Sequence, residues 1–176
     1  MIEVLRRSLL AVLALTVLWL GAVQPSVAQE NVRYAAIVVD AETGEVLFAR
    51  HADSRRYPAS LTKMMTLYLT FEALNEGRVH LTDVLTISPR AASQPPSKLG
   101  LAAGQTITLD NAMRATAVRS ANDMAVAIAE HIGGSEARFT NLMTLKAEQL
   151  GMTQTRYATA NGLPDARQLT SARDQA

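Results

Sequence analysis

The sequence predicts an α+β fold in which a β-hairpin precedes a helical region. Three observations carry this. Arg33-Tyr-Ala-Ala-Ile-Val-Val39 and Val46-Leu-Phe48 are β-rich and flank the turn-forming Asp40-Ala-Glu-Thr-Gly44. Leu61 to Leu74 is an apolar run of helical length. Beyond it, capping residues and glycines mark off further helices as far as Gly151.

The elements follow in order. Arg6 and Arg7 precede an apolar stretch from Leu9 to Val23, and Ser26-Val-Ala28 fits a small-x-small cleavage site. Residues 1–28 therefore read as an export signal cleaved after Ala28, since the stretch falls short of the ~20 apolar residues a spanning helix needs. Residues 29–176 form the mature portion. Ile37-Val-Val39 lacks clean alternation, which predicts a strand covered on both faces. Pro58 keeps the preceding chain out of a helix and sets the entry to the next element. From Ser60 the apolar positions Leu61, Met64, Met65, Tyr68, Leu69, Phe71 and Leu74 lie almost all around a helix, which predicts a central, buried one ending at Gly77. Leu81 to Gly104 reads as loop and short elements, broken by Pro89, Pro95, Pro96 and Gly100. Asp110 is the expected cap of a helix running towards Ser120, and Asp123 that of a helix from Met124 to Ile132 closed by Gly133-Gly134. Ser135 starts a third helix ending at Gly151, and Ser171-Ala-Arg-Asp174 fits a capping box.

Composition narrows the function. The chain has 176 residues, 48% of them hydrophobic and 19% charged, which is globular rather than disordered. A net charge of +1 with no basic block gives nucleic acid no electrostatic footprint. The absence of cysteine means that no disulfide is needed.

The chemistry centres on Ser60-Leu-Thr-Lys63. Serine and lysine at i and i+3 share a helix face, which sets a nucleophile beside a base. By chance roughly 0.17 such pairs arise in a chain with ten serines and three lysines among 176 residues, so the spacing alone is a weak signal. Read alone, Ser60 is more simply a helix N-cap and Lys63 a snorkelling surface lysine. Ser120-Ala-Asn122 adds a second hydroxyl and an amide, although both are also ordinary cap and loop residues. Burial of Lys63 would favour its neutral amine, and the N–H of Ser60 at a helix start is a candidate oxyanion donor. His51, His80 and His131 lack ligand spacing, no Gly-rich phosphate loop is present, and no metal or cofactor is expected.

Ser-x-x-Lys followed by Ser-x-Asn resembles the penicillin-recognising serine enzymes. Tyr57-Pro-Ala-Ser-Leu-Thr-Lys-Met-Met-Thr66, Ser120-Ala-Asn-Asp-Met124 and Gly151-Met with Asn161-Gly-Leu-Pro164 resemble the low-molecular-mass D-alanyl-D-alanine carboxypeptidases, from about Tyr34 to Ala176. The resemblance implies the β-lactamase/DD-peptidase transpeptidase-like fold, an antiparallel sheet plus a helical region. It implies Ser60 as acyl-ester nucleophile, Lys63 as general base, Ser120 as proton relay and Asn122 as a substrate-binding residue. It implies peptidoglycan stem peptides and β-lactam antibiotics as partners, a periplasmic location, and membrane association through a C-terminal segment that this sequence does not contain. The family's Lys-Thr-Gly motif does not occur in the sequence, so the expectation is an inactive fragment whose later strands are missing. Two other functions share the motifs: a serine β-lactamase and a non-catalytic penicillin-binding fragment. Ser-Ala-Asn in place of Ser-Asp-Asn weighs against the former, as does the placing of Glu136 and Glu148 on a helix predicted to be exposed.

Overall fold

The structure, a computed structural model, describes residues 34–176; the predicted export signal over residues 1–28 and its cleavage site lie outside them. Strands β1 (Ala36–Val39) and β2 (Val46–Arg50) form an antiparallel hairpin that pairs Ala36 with Arg50 and Val38 with Phe48. Its turn is closed by Asp40, whose carboxylate accepts from the N–H groups of Glu42 and Thr43. The hairpin is not covered on both faces as the apolar run predicts. Val38 is exposed and so is every residue of β2, and among the described residues β1 and β2 pair only with each other.

A 3₁₀ turn (Ala59–Leu61) leads into α1 (Thr62–Asn75), and Gly77 follows with a φ of +68°. The expected central position of α1 is also corrected. Its inner face is Thr62, Lys63, Met65, Thr66, Leu69, Thr70 and Ala73, whereas Leu61, Met64, Tyr68 and Phe71 are exposed. Threonine can occupy the inner face because each hydroxyl finds a partner there. Thr70 donates to the Thr66 carbonyl at 2.7 Å and Thr66 to the Ala160 carbonyl at 2.6 Å, while Thr62 accepts from Gln168 Nε2 at 3.2 Å.

Two three-residue strands, β3 (Val84–Thr86) and β4 (Thr106–Thr108), pair antiparallel around α2 (Pro89–Ala92); β3 and α2 are among the short elements expected between Leu81 and Gly104, and β4 follows just beyond. Then come α3 (Leu109–Arg119), α4 (Asn122–Gly133), α5 (Glu136–Gln149) and a final turn, α6 (Ala172–Gln175). The central element is α4, buried from Asn122 through Ala129 and packed by α1, α2, α3 and α5. Its alanines, Ala125, Ala127 and Ala129, let neighbours approach closely. One side carries Leu85, Ile87, Leu109, Met113, Met124 and Ile128; the other carries Phe139, Met143, Met65 and Tyr157.

The caps differ from expectation at two sites. Thr108, not Asp110, caps α3 by accepting from the Asn111 N–H, and Asp110 instead pairs with Arg114 one turn on. Asp123 is no cap but lies inside the first turn of α4. Ser135 caps α5 and Gly134 closes α4 in the left-handed region, as the sequence predicts. Ser171 accepts from the Asp174 N–H, while the Asp174 carboxylate reaches across to Gln154 and Thr155, so only half of the capping box forms. Among the described residues no helix is long and apolar enough to cross a membrane.

Candidate active site

Three segments meet at one cavity of about 650 Å³, whose walls include Ser60, Ser97, Ser120, Asn122, Asn161 and Gly162. The first segment is the 3₁₀ turn. Ala59 has a φ of +48°, sparsely populated for a residue with a Cβ, and it throws Ser60 outward so that the serine is exposed. Lys63 follows one turn later and points inward, with 4% of its surface accessible.

The second segment is the junction of α3 and α4. Ser120 terminates α3 in the left-handed region, with a φ of +55°, and Asn122 opens α4. The Asn122 N–H donates to the Ser97 carbonyl at 2.7 Å. Asp123, fully buried, accepts from the N–H groups of Leu99 and Gly100 at 3.0 and 2.8 Å and so ties the loop before β4 to the start of α4.

The third segment is the loop Asn161–Gln168, anchored by antiparallel bridges between Arg56 and Thr170 and between Arg156 and Leu169. Gly162 has a φ of +87°, and a Cβ there would be driven into the Ala59 carbonyl. Only glycine lets this loop press against the residue preceding Ser60. Asp165, on the cavity wall, accepts from the Arg167 side chain at 2.9 and 2.6 Å and from its N–H, which holds the carboxyl well down, at about 2.

The four residues singled out in the sequence converge. Ser60, Ser120 and Asn122 line the cavity, and the Lys63 amine donates to Asn122 Oδ1 at 2.8 Å and to the Asn161 carbonyl at 2.6 Å. Burial disfavours the ammonium and brings the Lys63 pKa down to about 8. The snorkelling alternative is excluded by that burial. The sequence signals no role for Asn161, although it lies in the Asn161-Gly-Leu-Pro164 segment, nor for Gln94, whose Oε1 accepts from Asn161 Nδ2 at 2.8 Å. Glu136 is another correction. It is 6% exposed, paired with Arg90 and accepting from the Ala160 N–H at 3.0 Å, which leaves it bound in the scaffold and outside the cavity wall.

Comparison with known proteins gives this arrangement its context. Residues 22–176 match the model of the D-alanyl-D-alanine carboxypeptidase family. The chain is 37% identical to D-alanyl-D-alanine carboxypeptidase DacF of Bacillus subtilis over 142 residues, and 39% identical to DacA of Haemophilus influenzae over 143. These matches cover 81% and 80% of this chain but 36% of either relative, so the chain spans about a third of their length. The crystal structure of penicillin binding protein 5 from Haemophilus influenzae superposes with a TM-score of 0.78 at 39% identity, covering 81% of this chain and 42% of that one. The α+β architecture is accordingly that of the penicillin-binding DD-peptidases. The matched residues, the motifs and the superposition agree, and the chain belongs to the D-alanyl-D-alanine carboxypeptidase family.

Proposed function

We propose that this chain carries the nucleophile, the base and much of the substrate wall of a serine-type D-Ala-D-Ala carboxypeptidase. The observation that carries the reading is the Lys63 amine: buried, held by two acceptors, with a pKa brought down to about 8, one turn beyond an exposed serine on a cavity wall. A neutral amine has two hydrogens and one lone pair. Asn122 Oδ1 and the Asn161 carbonyl take the hydrogens, and the lone pair remains for the proton of Ser60.

Ser60 Oγ attacks the carbonyl of the penultimate D-alanine as Lys63 accepts its proton, giving a tetrahedral oxyanion near the Ser60 N–H. The C–N bond then breaks. Ser120 relays the proton from Lys63 to the departing amine, and D-alanine leaves an acyl ester on Ser60. Asn122 binds the substrate's peptide carbonyl while holding Lys63. Water, deprotonated by the same amine, cleaves the ester and restores Ser60. A β-lactam ring opened by Ser60 would form the corresponding ester, in keeping with a relative named for binding penicillin. The substrates are peptidoglycan stem peptides, residues 1–28 direct export, residues 29–176 are the N-terminal portion of the enzyme domain, and the site of action is the periplasm, with membrane association supplied by a further C-terminal segment.

Labelled penicillin tests this in protein bearing the complete domain. Mass mapping should find the label on Ser60, and Ser60→Ala should take none. Label on Ser120, or undiminished labelling of Ser60→Ala, removes the assignment.

A further inference from the structure

Both acceptors of the Lys63 amine are themselves held by one short segment, Gln94–Ser97, which follows α2. Asn122 Nδ2 donates to the Pro95 carbonyl at 3.0 Å, which turns Oδ1 of the same amide towards Lys63. Asn161 Nδ2 donates to Gln94 Oε1 at 2.8 Å, while the Asn161 carbonyl accepts from Lys63. The polarity of this chain is fixed at both ends by backbone groups. Gln94 Nε2 donates to the Arg90 carbonyl at 3.1 Å, so its Oε1 faces Asn161, and Asn161 Oδ1 accepts from the Leu163 N–H at 3.0 Å, so its Nδ2 faces Gln94. Gln94 and Asn161 are 8% and 2% exposed.

The Asn161 carbonyl is anchored from two sides. The amide side chain of Asn161 is held by Gln94, and the Gly162 N–H in the same peptide plane as the carbonyl donates to Thr159 Oγ1 at 3.1 Å. A carbonyl that swung away would leave Lys63 with one acceptor. We infer that Gln94 is a positioning residue for the proposed base: through the Asn161 side chain it holds the 161 carbonyl on the Lys63 amine, and together with Pro95 it sets both hydrogen bonds of that amine from one segment. The inference rests on the acylation reading of the site, and it adds a residue that touches neither substrate nor nucleophile.

The charged groups packed around this segment are already engaged. Glu136 of α5 pairs with Arg90 of α2, Lys98 donates to the Ala92 carbonyl at 3.3 Å, Asp123 of α4 is held by the Leu99 and Gly100 N–H groups, and Asp165 is held by Arg167. The hydrogen bonds to the 161 carbonyl and to Asn122 are therefore the adjustable part of the Lys63 environment. An acceptor favours the ammonium over the amine, so loss of one lowers the pKa further.

The test is a titration of the full chain carrying 13C at lysine Cε. There are three lysines, Lys63, Lys98 and Lys146, and Lys63→Arg assigns the signal of interest. Lys146 serves as the fold reporter, because its pKa is raised by its hydrogen bond with Glu72 on α1 at 2.7 Å. Gln94→Leu should lower the Lys63 pKa by about one unit, roughly tenfold in the protonation equilibrium, with Lys146 still raised. Gln94→Glu keeps an acceptor at Oε1 and should hold Lys63 at or above the parent value. A Gln94→Leu protein with Lys146 still raised and Lys63 unmoved overturns the inference. If Gln94→Leu unfolds and Lys146 falls to the ordinary range, Gln94→Glu decides: a parent-like or higher Lys63 supports the inference, and a lowered one overturns it. A parent Lys63 that titrates as an ordinary lysine overturns the acylation reading instead, leaving the Gln94 comparison to be scored on its own shift.

Discussion

Lys63→Arg separates a base from a fixed positive charge. The structure sets the magnitude. With a pKa of about 8, Lys63 is neutral in roughly one molecule in ten at pH 7. An ordinary lysine, near 10.4, would be neutral in about four in ten thousand, so burial raises the reactive fraction some 200-fold. Arginine, with a pKa above ~12, is neutral in fewer than about one in 10⁵ and cannot take the proton of Ser60. General-base catalysis contributes about 10²–10⁴, which bounds the loss. The sign over pH follows from the neutral fraction. In the parent, acylation of Ser60 should rise about tenfold per unit up to pH 8 and then level off, while the arginine variant should show no such break. The assay is the second-order rate of covalent labelling by penicillin between pH 6 and 9, read by intact mass in protein bearing the complete domain. A Lys63→Arg protein that acylates within a few-fold of the parent and keeps the break near pH 8 would refute the reasoning, because neither the lone pair nor its titration would then belong to Lys63.

Other outcomes follow from particular contacts. Gly162→Ala, which drives a Cβ into the Ala59 carbonyl, should slow acylation of Ser60 at least tenfold and leave the helical circular dichroism unchanged; an unaltered labelling rate shows that the turn does not depend on that contact. Phe139→Ala empties a fully buried site beside Met65, Leu69 and Ala160 and should cost about 3–5 kcal/mol in chemical denaturation, against an expectation of under 1 kcal/mol for a surface change on the same helix. N-terminal sequencing of exported protein should begin at Gln29; a mature chain that retains residues 1–23 means an anchor in place of a signal.

The meeting of Ser60, Lys63, Ser120 and Asn122 is legible in the sequence because these residues stand at short spacing, one helical turn or one helix junction at a time. Asn161 and Gln94 are not. A backbone carbonyl that serves as acceptor has no residue-type signature, and the Gln94–Asn161 bond joins positions 67 residues apart. The misread burial has the same origin. Glu136 looks like a surface acid until Arg90, 46 residues away, pairs with it, and the inner face of α1 looks polar until Ala160 and Gln168 arrive to satisfy its threonines. The pairing of β3 with β4 is not legible, because a three-residue strand carries no period to detect.

The press of Gly162 against Ala59 has a temporal consequence. Ser60 and Lys63 lie early in the chain, yet what shapes their surroundings comes from much later: Lys63 meets Asn161 across 98 residues, and Thr62 meets Gln168 across 106. Until that late loop docks, the Lys63 amine lacks the Asn161 carbonyl and part of its cover, and an amine left in water favours the protonated form. Closing so long a loop is among the slower and entropically costlier steps of folding. On the proposed reading Ser60 would gain its reactivity only once the late loop has docked, and a chain exported unfolded would acquire it after crossing.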